Sequence, residues 1–124
     1  MEIFDGPLWA SHTNVREIVP NERQFNNDQI KVLIRRDAII GMAFDAWMMI
    51  PYWKHGISNP KTIGLNLEKI VNHIDDICQL AGNTDHVMIG SDLDGGFGNE
   101  QCPLDLETIS DLQKLNSILS KKGL

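Results

Sequence analysis

The segment Ala38-Ile39-Ile40-Gly41-Met42-Ala43-Phe44 is apolar from end to end and does not alternate with polar residues. A strand with one wet face alternates, whereas an unbroken apolar run belongs to a strand covered on both faces, the condition of a parallel sheet flanked by helices. Two further runs share this character. Pro7-Leu8-Trp9-Ala10-Ser11, set off by Asp5-Gly6, reads as a short buried strand, and Val87-Met88-Ile89-Gly90-Ser91-Asp92 reads as a third.

The intervening segments carry a helical period instead. Asn26-Asn27-Asp28 can cap a helix whose apolar positions Ile30, Leu33 and Ile34 are spaced by three and four, with Arg35 and Arg36 suited to its C-terminus. Leu67, Ile70, Val71, Ile74, Ile77, Cys78 and Ala81 give a second amphipathic helix, which Gly82 is placed to end. Leu112, Leu115, Ile118 and Leu119 form the stripe of a last helix from about Leu106 to Lys122, with Lys121 and Lys122 at its cationic end. The long connection from Asp45 to about Gly64 is unusually apolar for a linker, with Trp47, Met48, Met49, Tyr52 and Trp53, so it is expected to pack on a rim or line a pocket.

The order is β-α-β-α-β-α with no hairpin signal. The chain's 124 residues, 42% of them hydrophobic, are enough to bury a core. Three parallel strands nevertheless leave two open edges, so either partners supply neighbours or the chain is a piece of something larger. A net charge of −6 and the lack of any Lys/Arg cluster exclude a nucleic-acid or anionic-membrane partner. Cys78 and Cys102 form no Cys-x-x-Cys pair, which makes a reduced, intracellular protein the default reading. Met1 to Gly6 lacks the basic and apolar regions of a signal peptide, and no apolar run reaches membrane-spanning length.

His12 and Asp92 each end an apolar strand, where parallel β/α architectures collect catalytic groups on one face. An imidazole there can ligate a divalent metal, and a carboxylate can ligate it or shuttle a proton. The plainer alternative is a capped strand end, with His12 bonded to a neighbouring carbonyl and Asp92 stabilising the glycine turn. Asp92-Leu93-Asp94-Gly95-Gly96 is not a calcium loop, because the fifth and twelfth positions are Gly96 and Pro103. His73-Ile74-Asp75 mimics a His-x-Asp metal pair, yet on a helix the two side chains diverge by about 200°. His55 and His86 are expected in surface or loop roles. Arg23, in the loop after the first strand, could offer a fork to a carboxylate or stand as a solvated cation.

Ala10-Ser11-His12-Thr13-Asn14, Pro20-Asn21-Glu22-Arg23-Gln24, Asn72-His73-Ile74-Asp75 and Ile89-Gly90-Ser91-Asp92-Leu93-Asp94-Gly95-Gly96, in that order, resemble the membrane dipeptidase (renal dipeptidase) family over nearly the whole chain. The resemblance implies a partial (β/α)8 TIM barrel of the amidohydrolase type: strands six to eight with their helices, the C-terminal portion of a dipeptidase truncated at both ends. His12 would end the sixth strand, Ala38 to Phe44 would be the seventh and Val87 to Asp92 the eighth. On that mapping His12 matches a ligand of one of two zinc ions, Asp92 the catalytic acid beside a metal-bridging hydroxide, and Arg23 the residue that receives the dipeptide's carboxylate. The family's Arg-Asn stands here as Arg23-Gln24. The family's His-x-Asp pair on strand one, Glu on strand four and His on strand five have no counterpart in this chain. The expected activity is zinc-dependent dipeptide hydrolysis with the missing strands supplied, and the isolated chain is expected to be inactive and to bind zinc weakly. The alternatives are an inactive remnant that associates with another copy of itself, or another metal-dependent hydrolase of the same barrel type.

Overall fold

The computed structural model describes residues 4–124; part of the stretch expected to lack a signal peptide, residues 1–3, lies outside the described residues. Three strands, β1 (Trp9–Ala10), β2 (Ile39–Ala43) and β3 (Val87–Ser91), form one parallel sheet in the order β1-β2-β3. Trp9 pairs with Ile39 and Ile40 with Val87, and the register shifts at Met42/Ala43, where Ala43 pairs with Ser91.

The central strand is buried from Ile40 onward, with Ile40, Met42 and Phe44 all in the core, whereas Ile39 at its start is 40% exposed. The outer strands depart from the sequence reading. β1 is two residues long with Trp9 78% exposed, and Ile89 of β3 is 49% exposed. Each lies at a sheet edge, where no further strand among the described residues covers it.

Helix α1 (Asn27–Arg35) starts at a capping box, in which the Asn26 side chain accepts from the Gln29 N–H and the Gln29 side chain accepts from the Asn26 N–H. The connection after β2 folds into two short helical turns, α2 (Ala46–Met49) and α3 (Pro60–Ile63), and buries Met48 and Met49 completely. Helix α4 (Glu68–Ala81) lays Ile70, Val71, Ile74 and Ile77 against the core and packs on α1, α2 and both β2 and β3. Gly82 ends it in the left-handed conformation with φ 75°.

The last helix, α5 (Lys114–Lys122), is shorter than the sequence reading of Leu106 to Lys122. Thr108 and Asp111 form a capping box of their own, so residues up to that point are held in a loop and the chain enters α5 through a 3-10 turn, Ile109–Gln113. Leu115 is the fully buried member of its stripe. Among the described residues no helix is long and apolar enough to cross a membrane, and both cysteines are free and buried.

Candidate functional site

Three strand ends meet on one rim. The residues that follow β1, β2 and β3 include His12, Asp45 and Asp92, and in a parallel sheet these ends share one edge of the layer. His12 and Asp92 come from strands that are not neighbours, since β2 lies between them, yet His12 Nε2 stands 3.7 Å from Asp92 Oδ1.

Glycines make that approach possible. A Cβ on Gly41 would lie 2.2 Å from the Ser11 carbonyl oxygen, and one on Gly90 would lie 1.9 Å from it. The chain leaving β1 therefore leans across the bare backbone of β2 and β3, and the Thr13 N–H fastens it by donating to the Gly41 carbonyl at 3.0 Å. The other histidine nitrogen, Nδ1, lies 2.8 Å from Ser11 Oγ. This partner is a hydroxyl rather than the carbonyl considered in the plainer reading. With Nδ1 as the donor, the Nε2 lone pair faces Asp92.

Asp92 sits in a strained turn. Ser91 and Asp92 have φ of 24° and 63°, a region where side chains are costly and Asp is better tolerated than most. Gly95 closes the turn by donating to the Asp92 carbonyl at 2.9 Å, and a Cβ there would fall 2.5 Å from Asp92 Oδ1. The glycine-rich run thus wraps the carboxylate itself. His12 and Asp92 remain partly open to solvent, with side chains 37% and 27% exposed.

Asp45 was read only as the start of a loop, although it ends β2 by the same rule that singled out the other two. Its side chain is buried, Oδ2 accepts from the Trp47 indole N–H at 2.8 Å, and Oδ1 has no hydrogen-bond partner among the described residues. Burial pushes its carboxyl above the usual carboxylate range; the Trp47 hydrogen bonds and His55 pull it down and the Asp92 charge pushes it further up.

A buried polar network fixes the segment between His12 and Arg23. Asn14 pairs with β2 as a strand would, donating to the Ala43 carbonyl at 3.0 Å and accepting from the Ala43 N–H at 2.9 Å. It also donates to the Met48 carbonyl. Gln24, fully buried, accepts from the Asn14 N–H at 2.7 Å and donates to Met48 at 2.9 Å, so an amide at this position serves as a strut. Arg16 gathers the carbonyls of Asn21, Glu22 and Gln24, and Asn21 Oδ1 caps the Arg23 N–H at 2.9 Å. Arg23 rides on this braced loop with its side chain exposed and unbonded to any described residue.

The remaining histidines divide differently from expectation. His73 is fully buried on α4: its Nδ1 accepts from the Val15 N–H at 3.0 Å and its Nε2 donates to the Met49 carbonyl at 3.0 Å. Burial lowers its pKa from 6.5 to about 4, so it is a neutral pin between three segments. His86, expected in a surface or loop role, does lie in the turn before β3 but is buried there, and donates through Nδ1 to the Ala38 carbonyl at 3.0 Å. His55 is exposed, as expected for a loop residue, and its Nδ1 lies 2.6 Å from Gln101 Oε1.

As metal donors, one imidazole nitrogen and one carboxylate on a shared rim fit part of a zinc site, which takes three or four protein ligands. Among the described residues no three His, Cys, Asp or Glu side chains converge in that way. The donors present suit such a metal in kind and fall short of it in number.

The chain resembles known proteins in sequence and in fold. The family model of the membrane dipeptidases, peptidase family M19, matches residues 1–124. An uncharacterized protein in the pqqA 5′ region of Klebsiella pneumoniae is 27% identical over 117 residues, which cover 94% of this chain and 39% of that one. Among solved structures, the dipeptidase AC, a metallo peptidase of family M19, superposes with a TM-score of 0.78 at 21% identity, over 99% of this chain and 33% of that one. A metallo peptidase from Rhodobacter sphaeroides, liganded with a phosphinate mimic of the dipeptide L-Ala-D-Ala, gives 0.78 at 22% identity, over 99% and 32%. An amidohydrolase from Pseudomonas aeruginosa gives 0.69 at 17% identity, over 95% and 39%. At these identities the structural likeness is one of fold, and the chain spans a third to two fifths of the length of each of these relatives.

Proposed function

The chain belongs to the membrane dipeptidase family, and on that premise we propose that it supplies the sixth to eighth β/α units of a (β/α)8 metallo-dipeptidase barrel. The observation that carries the reading is the approach of His12 Nε2 to Asp92 Oδ1, 3.7 Å across an intervening strand, on the rim where such barrels hold their chemistry. His12 would hold zinc through Nε2 with its ring oriented by Ser11, and the other ligands would come from strands beyond this chain. Zinc, when bound, supplies Lewis-acid polarisation of the scissile carbonyl and makes water nucleophilic near neutral pH.

The chain's own groups carry the rest. Asp92 accepts the proton of the attacking water and returns it to the leaving amine, a general base and then a general acid. Its turn at φ 63°, closed by Gly95, keeps the carboxylate facing His12. Arg23 receives the peptide's terminal carboxylate in a bidentate fork, held in place by the Arg16 and Gln24 struts.

The test is hydrolysis of a small dipeptide panel with added zinc, by this chain alone and by the chain extended upstream through the missing strands. Activity is expected in the extended form only, lower by about 10²–10⁴-fold in Asp92→Asn, and poor on amidated dipeptides. Equal turnover of amidated and free dipeptides removes the Arg23 assignment. An extended form that hydrolyses no dipeptide refutes the proposal.

A second reading, a module that pairs its open sheet edges with another copy, is favoured by the exposure of Trp9 and Ile89 on the edge strands. Sedimentation that shifts with concentration in the absence of metal would select it.

A further inference from the structure

Beside the rim lies a cleft of about 350 Å³ whose lining includes Trp47, Tyr52, Trp53 and His55 on one side and Pro20 and Asn21 on the other. Its first wall is fixed. The Trp47 indole is tied to Asp45, and the His55 ring leans on it with centroids 6.3 Å apart at 53°. Gln101 in turn holds His55. The Trp53 indole N–H is buried and has no hydrogen-bond partner among the described residues. Tyr52 is 92% exposed and adopts φ 66°, an unfavourable conformation for a bulky residue that sets its side chain among those bounding the cleft.

The second wall belongs to the loop that carries Arg23. Asn21 lines the cleft and also caps the Arg23 N–H, and Arg16 holds the Asn21 carbonyl. The exposed guanidinium and the aromatic cleft are therefore mounted on one braced loop two residues apart. On the dipeptidase reading Arg23 would take the ligand's carboxylate, and the cleft lined by Asn21, two residues earlier in the same loop, is then the candidate receiver of the group borne on the same carbon.

We infer that the cleft receives the side chain of the dipeptide's carboxyl-terminal residue and selects a large aromatic one. The inference deepens the dipeptidase reading, from which it takes the nature of the ligand. The volume is ample for a benzyl or indole group, and flat aromatic walls reward a flat occupant. A glycine or alanine at that position would leave the cleft unfilled and forgo the burial.

The test is a titration of the chain with glycyl-L-phenylalanine, glycylglycine and glycyl-L-lysine, followed by NMR at the Trp47 and Trp53 indole N–H signals. Glycyl-phenylalanine should move both signals and bind about tenfold or more tightly than glycylglycine. Tyr52→Ala, at an exposed position that does not support the core, should reduce that ratio, and Arg23→Ala should weaken all three ligands alike. Equal affinities, no binding of any of the three, a preference for the lysine peptide, or a ratio unchanged in Tyr52→Ala each overturns the assignment. The two readings fail separately. Hydrolysis by the extended form without a phenylalanine preference would leave the dipeptidase and remove the cleft's role, whereas the preference without hydrolysis would do the reverse.

Discussion

His73 offers a sharp test of how this chain is held together, because its neutral form does a job that its charged form cannot. Nδ1 must keep a lone pair for the Val15 N–H while Nε2 donates to Met49, and a second proton would take that lone pair away. The folded pKa of about 4 lies below the ordinary 6.5, so between those values the unfolded chain binds the proton that the folded chain refuses. Stability should therefore be complete above pH 6.5 and fall as the pH is lowered toward 4. The displacement corresponds to a loss of about 2 kcal/mol near pH 5 and about 3 kcal/mol below pH 4. Asp45 and Asp76, whose carboxyls burial raises, push the other way on acidification, so the readout has to be a difference. His73→Gln supplies one donor and one acceptor that do not titrate. Urea midpoints of wild type and variant, compared near pH 7.5 and pH 5, should converge as the pH falls because only the wild type loses the His73 contribution. A parallel fall in both proteins would show that His73 binds its proton equally in the folded and unfolded states, and the argument from its two hydrogen bonds would be wrong.

Two other expectations rest on single positions. Gly90→Ala places a methyl group on the Ser11 carbonyl, so it should destabilise the fold by about 1–3 kcal/mol and separate His12 from Asp92; thermal unfolding reads the first effect and the NMR shifts of the His12 ring the second. Asp45→Asn keeps an acceptor for the Trp47 indole while removing a buried charge. Because the Asp45 pKa is raised, the wild type loses stability as pH rises from the ordinary value of 3.8 through the raised one. The variant should accordingly melt at a higher temperature at pH 7, with the gap closing near pH 3.8; a gap that is constant with pH contradicts the burial argument.

The parts legible in the sequence are those where one local rule suffices. The stripe from Ile70 to Ile77 and the terminating Gly82 specify α4, and the seven-residue apolar run around Gly41 specifies the buried central strand. The sharing of one rim by His12 and Asp92 follows from their places at strand ends. What the sequence conceals depends on contacts far along the chain. Asn14 gives no sign that it will bond Ala43 and Met48, nor Gln24 that it will join the same network. His73 and His86 look polar in a linear reading and are buried because backbone groups from distant segments receive them. The start of α5 was misread because Thr108 and Asp111 cap one another before the apolar stripe takes hold. Asp45 differs from these, since its place at the end of the β2 run is the same local signal that His12 and Asp92 carry.

The pairing of the strands also governs when the sheet can form. Trp9 meets Ile39 across the whole of α1, and Ile40 meets Val87 across two short helical turns and the whole of α4. Every ladder bond in this sheet thus closes a long loop, and the entropy of that closure is lost before any pairing is gained. Bonds within each helix are local and can form before those loops close, which leaves β2 waiting for its neighbours. During that interval its apolar run is the segment most open to the wrong partner, so the yield of folded chain should depend on how quickly α4 docks and covers it.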